Sequence, residues 1–218
     1  MRVVSVLLLS SFLATAVVAQ EPSGLSFGVA PNVSTLGVGV DAGLGLHSRI
    51  TVRAGASYMP IEPSFSASDL DWKFSLPETQ FMGMVDFFLI GGLRVTGGVR
   101  YKTEDITAVV EYTGTVDIGD TTYQGADVGQ VTGALVTKDF APYVGIGFGN
   151  VAKRGLGFLL DLGVALHGSP EVALAASGPI ASDPTFQADL EQQRAEFEDD
   201  VNWVKFYPIV KLGITIGF

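Results

Sequence analysis

No cysteine occurs in the 218 residues. Neither disulfides nor thiolate metal ligands can hold this chain together, so its fold must close through a hydrogen-bonded ladder or a packed core. Outside the N-terminus, no apolar run reaches the ~18 residues a membrane-spanning helix needs. Positive charge is scarce, with 13 Lys and Arg against 23 Asp and Glu. No basic stripe is available, which excludes nucleic acid as a partner. Only two histidines occur, and there is no zinc spacing, phosphate loop or haem motif. Gly145-x-Gly147-x-Gly149 lies inside an alternating segment with no helix after it, so a dinucleotide site is excluded as well.

What is present is apolar and glycine-rich. Hydrophobic residues make up 47%, glycines number 27 and mean hydropathy is +0.37. Residues 1–19 carry one cation, Arg2, then an apolar run, then Val17 and Ala19 at the small positions before a cleavage site. They read as a secretory signal peptide, leaving residues 20–218 as one domain. An exported, apolar chain with no spanning helix fits a barrel that meets lipid through alternate residues.

The last strand shows this pattern most clearly. Phe218, Ile216, Ile214, Leu212 and Val210 alternate with Gly217, Thr215, Gly213, Lys211 and Ile209. A period of two is that of a strand with one apolar face. A terminal Phe218 after such a strand resembles the closing strand of bacterial outer-membrane barrels, where the assembly machinery reads it as a signal. Six further alternating runs flank three tight turns, at His47-Ser48-Arg49, Ile90-Gly91-Gly92 and Asn150–Gly155. Each run is about ten residues long, as tilted spanning strands require. The connections between hairpins are long, at about 61–77, 103–138 and 167–203. Short turns on one side and long loops on the other match outer-membrane barrels.

Even parity then requires one more strand, Leu25–Ala30, with a turn at Pro31-Asn32. The expectation is an all-β, transmembrane, antiparallel up-and-down barrel of eight strands, or ten if 107–124 enters the membrane. One short helix is expected in the last external loop. Asp183 supplies its N-cap and Pro184 its first position. Phe186, Leu190, Phe197 and Val201 would form a stripe on the barrel rim. Aromatics cluster near both strand ends, with Phe87, Phe148, Phe158 and Phe218 at one and Tyr58, Phe81, Tyr101, Phe140 and Phe206 at the other, as two interfacial girdles.

The phase of the strands points seven charged residues inward: Asp41, Arg53, Asp86, Arg94, Arg100, Asp161 and Lys211. In a narrow lumen they read as an ion-pair network, because burying one charge alone is expensive. Asp161 and Lys211 are the expected partners, on strands adjacent in the chain. Of the 23 acids, Asp41, Asp86, Asp161 and Glu21 lie elsewhere, leaving nineteen in or beside the long connections. The densest group, Glu196, Glu198, Asp199 and Asp200, is a candidate weak divalent site, where calcium or magnesium would be loosely held. No other cofactor is expected. His167-Gly168-Ser169 with Glu171 loosely resembles the His-x-Ser pattern of outer-membrane lipid A deacylases, which marks a lipid-modifying barrel enzyme as one alternative. A soluble lipocalin-like binding barrel is another.

The segments APYVGIGFGN (141–150), GLGFLLDLGVALHGSPEVALAASG (155–178) and FEDDVNWVKFYPIVKLGITIGF (197–218) are similar to small outer-membrane proteins of the OmpA/OmpW-like barrel class. The resemblance implies an eight-stranded barrel and an outer-membrane location. The expected partners are outer-membrane lipid, lipopolysaccharide beside the acidic loops, and the assembly machinery that reads Phe218. It carries over no catalytic residue. The expected role is non-enzymatic: structural, surface-adhesive or small-solute passage.

Overall fold

Alternation with a period of two becomes ladder pairing wherever both edges of a strand find a neighbour, and here the ladder closes on itself. The computed structural model describes residues 25–60, 64–67, 70–112 and 114–218, with backbone alone for 64–67 and 70–74. The expected leader, 1–19, lies outside them. In chain order, β1 (Ser26–Ser34), β2 (Gly37–His47) and β3 (Ile50–Tyr58) are followed by β4 (Ser64–Ala67) and β5 (Leu70–Ser75), then β6 (Thr79–Ile90) and β7 (Leu93–Lys102). Next come β8 (Ile106–Glu111), β9 (Thr115–Ile118), β10 (Thr121–Gln124), α1 (Gly125–Val128) and β11 (Gln130–Val136). The chain continues through β12 (Phe140–Phe148), β13 (Gly155–Ala165), β14 (Glu171–Ala176), α2 (Pro184–Val201) and β15 (Tyr207–Gly217).

Eight strands form a closed antiparallel barrel in the order β1-β15-β13-β12-β7-β6-β3-β2. The ends of the chain seal it, with Gly28 opposite Gly217 and Ser34 opposite Lys211. The Phe218 N–H donates to the Phe27 carbonyl at 2.8 Å. Closure leaves no unpaired edge, which substitutes for the missing disulfides.

The first strand departs from expectation. It does not end at a Pro31-Asn32 turn but runs on to Ser34. Proline and asparagine favour turns locally, yet tertiary pairing overrides them here. The β1–β15 ladder lapses between Val29↔Ile216 and Asn32↔Gly213, where Pro31 has no N–H to give. Asn32 turns inward, and its Nδ2 donates to the Ala30 carbonyl at 3.0 Å and to Asp41 at 3.3 Å.

The long connections are folded. All three contribute to one five-stranded sheet in the order β14-β11-β8-β5-β4, and β9 and β10 pair as a separate hairpin. Segment 107–124 therefore adds nothing to the barrel, which has eight strands. Asp183 caps α2 as expected, accepting from the Thr185 N–H at 2.8 Å and the Phe186 N–H at 3.1 Å. The apolar side of α2 does not lie on the barrel rim. Phe186 and Leu190 are buried with Ile118, Val128 and Val131 in a core of the external layer, while Phe197 stays exposed.

Candidate functional site

Inward-facing positions alternate with outward ones on every barrel strand, and the inward ones carry the charge. Asp41 (β2), Arg53 (β3), Asp86 (β6), Arg94 (β7), Asp161 (β13) and Lys211 (β15) meet in one buried network. Arg53 is its hub. Its Nη1 donates to Asp41 at 2.9 Å and to Asp161 at 3.0 Å, and its Nη2 donates to Asp86 at 3.0 Å. Arg53 Nε lies 2.6 Å from Asp86 Oδ2 without hydrogen-bond alignment, so that contact is purely an ion pair. Arg94 Nη2 donates to Asp161 at 2.5 Å, and Thr96 Oγ1 donates to Asp86 at 2.7 Å. Lys211 Nζ donates to both Asp41 oxygens, at 2.8 and 3.0 Å.

Three carboxylates face three cations, so the network carries no formal net charge. Neutrality and direct charge pairing are what make a buried charge cluster tolerable. In the ring of strands, β3 and β13 stand four steps apart in either direction. The Arg53–Asp161 pair therefore spans the full width of the bore.

The expected Asp161–Lys211 pair does not form. The two are Cα partners across β13 and β15, yet Lys211 reaches Asp41 and Asp161 is held by Arg53 and Arg94. Arg100 stands outside the network too. Its Nε donates to Gln80 Oε1 at 2.7 Å, and its guanidinium carbon lies 5.0 Å from the centroid of the Tyr207 ring. Lys102, which the inward set omitted, is buried near the same end and pairs with Asp105 and, at 3.3 Å, with Asp139.

The turn after β12 also closes the bore. Val151 and Ala152 are buried, and Val151 packs with Ala30 and Leu159 inside the barrel end. A Cβ on Gly28 would stand 1.9 Å from the Val151 carbonyl oxygen, so only glycine lets the turn sit so deep. Arg94 Nη1 donates to the Gly149 carbonyl at 2.9 Å, which ties this plug to the charged network. The sequence shows 150–155 only as a tight turn, because nothing in a six-residue loop signals that it folds back inward.

At the opposite mouth, Arg100, Lys102, His167, Gln80 and Tyr207 line a small cavity of about 60 Å³ with Met59, Leu76, Leu135 and Val204. His167 is buried, and its Nδ1 has no hydrogen-bond partner. Burial lowers the pKa of this imidazole below its ordinary value; a backbone hydrogen bond at Gly168 opposes the shift, and the charges of Arg100 and Lys102 add to it.

The outer wall is the reverse of the bore. Val33, Val40, Val52, Val85, Val95, Ile146, Leu162 and Ile214, one from each barrel strand, are all exposed. Aromatics bracket this wall. Phe27 stacks on Phe218 at 5.5 Å at the turn end, and Tyr101 lies 6.4 Å from Phe81 and 4.7 Å from Phe140 at the loop end.

His167, Ser169 and Glu171 do not come together. His167 is buried while Ser169 and Glu171 are exposed, and no hydrogen bond joins them among the described residues. The acids of α2 are dispersed. Glu198 pairs with Arg194, and Glu196 accepts from Gln192 at 3.4 Å. Among the described residues, no three His, Cys, Asp or Glu side chains converge as a metal site. No helix among them is long and apolar enough to cross a membrane.

No protein-family model and no curated protein matches this chain. Solved structures similar to this chain include two outer-membrane proteins of one organism. CarO2 of Acinetobacter baumannii aligns with a TM-score of 0.61 at 20% identity, over 89% of this chain and 99% of that one. CarO of the same organism aligns with a TM-score of 0.54 at 19% identity, over 88% and 96%. At these identities the likeness establishes the barrel fold alone.

Proposed function

We propose that this protein is an integral outer-membrane barrel of the OmpA/OmpW-like class, with a sealed bore and a folded external layer, in a structural or surface role. One observation carries the reading: the wall is inside out. Large apolar side chains cover the outside of all eight strands, while a neutral cluster of six charges fills the inside. In water such a wall would leave large side chains exposed, each forgoing about 1.5–3 kcal/mol of burial. In lipid, all of them are buried. A soluble binding barrel needs the opposite arrangement, an apolar lumen and a polar coat. The aromatic rings at both ends suit two lipid–water interfaces. The turn end would face the periplasm, and the acid-rich external layer would meet lipopolysaccharide, bridged by loosely held divalent cations.

Fractionation of cell envelopes tests this. The protein should stay in outer-membrane fractions through high-salt and alkaline washes and leave only with detergent. Release by salt would overturn it.

A further inference from the structure

Arg100 is the one charge of the inward set that the neutral network leaves out, and among the described residues it has no acidic partner. Its Nε is spent on Gln80 and its face lies against Tyr207, while its Nη groups donate to nothing described. The neighbouring Lys102 is already matched by Asp105 and Asp139. The cavity beside them therefore holds one cation with no carboxylate in contact with it. It also holds the buried Nδ1 of His167, which has no hydrogen-bond partner and, with the proton on that nitrogen, can donate to an anion. Apolar walls from Met59, Leu76, Leu135 and Val204 keep the local dielectric low, which strengthens any charge-assisted hydrogen bond made there.

We propose that this outer mouth is a binding site for a small monoanion, the carboxylate group of a small solute, held between Arg100 and His167. A guanidinium presents paired donors that match a carboxylate bidentately. A singly charged group fits because only one cation, Arg100, has no carboxylate in contact. About 60 Å³ admits a carboxylate with a short apolar tail and excludes a bulky one. Glu78, Glu104 and Asp105 line the adjoining cleft, so their repulsion weakens the binding of an anion.

The chain has two histidines, which supplies an internal control. His47 lies exposed at the turn end of β2, far from the mouth. The protein is labelled on its histidine rings, folded in uncharged detergent and titrated with sodium acetate. The His167 resonance should shift saturably while His47 only drifts with ionic strength. Trimethylacetate should not reproduce the saturation. Arg100→Gln should weaken binding at least tenfold, and Arg100→Lys less. The site is refuted if His167 tracks His47, if trimethylacetate saturates as acetate does, or if Arg100→Gln leaves the curve unchanged. The wild-type arms decide the matter even if Arg100→Gln does not fold.

Discussion

Arg53 shows how one residue can organise a bore. It touches all three buried carboxylates, and its removal would leave Asp41, Asp86 and Asp161 to share only Arg94 and Lys211. Stripping a buried charge of its partner typically costs about 3–5 kcal/mol, so Arg53→Met should lower unfolding stability in lipid vesicles by that order. Coupling discriminates the partners. A double-mutant cycle on Asp41 and Lys211, which bond directly, should give about 0.5–3 kcal/mol of interaction energy. The cycle on Asp161 and Lys211, which do not, should give clearly less. Equal coupling in the two cycles would contradict the pairing seen here. The inward phase of these charges was legible in the sequence, because a period of two fixes which face a residue takes. Their partners were not. The stagger of strands around a closed barrel decides who meets across the bore, so Arg53 finds Asp161 a full diameter away while the register neighbours Asp161 and Lys211 look elsewhere. Arg100 was legible as inward and illegible as separate for the same reason.

Seven barrel strands and the position of α2 were read correctly because each declares itself locally, by alternation in the strands and by the Asp183-Pro184 start in the helix; β1, inferred from parity, was cut short at Pro31-Asn32 although it runs on to Ser34. The five-stranded sheet of the long connections was missed because its strands are only four to seven residues long and pair between three distant connections. Runs such as ITAVVE (106–111) and EVALAA (171–176) do not alternate apolar with polar residues, so the period-two signal of a strand is absent from them. Besides the apolar core it shares with Ile118, Val128 and Val131, α2 is tied to the β9–β10 hairpin by a pairing at Tyr123. Tyr123 Oη donates to Asp189 Oδ2 at 2.6 Å, and the Tyr123 ring meets Phe186 edge-on at 5.1 Å. The hydrogen bond from Tyr123 holds the Asp189 carboxyl below its ordinary range. A depressed carboxylate pKa contributes stability that is present above the unfolded value, about 4, and is lost as pH falls through the lower folded value. Amide protection along α2 should therefore hold from neutral pH to about 4 and fall at more acid pH. In Tyr123→Phe protection should be lower at neutral pH and the acid-linked loss smaller, with the barrel amides unaffected. An acid-linked loss of wild-type size in Tyr123→Phe would show that Asp189 is not the group responsible.

At the scale of the whole molecule, the strand count followed from parity, but the sealing of the bore did not. An eight-stranded interior is just filled by side chains, and glycines facing inward left open whether a channel survives. Two seals close it. The charged network crosses the middle, and Val151 with Ala152 stops the turn end. Arg94 joins them, bonding Asp161 on one side and the Gly149 carbonyl on the other. Because the seals are in series, opening one leaves the other. The wild-type protein in planar bilayers should therefore show no steady stepwise conductance. Shortening 150–154 to a tight Asn-Gly turn should still leave it closed, because the pair spanning the bore remains. Arg53→Ala with Asp161→Ala removes one charge of each sign and clears the diameter, but the plug still stops the turn end. Only the combination should conduct. Stepwise current through the wild type, or through the shortened-turn variant alone, would overturn the sealed bore and favour passage of small solutes as the protein's role.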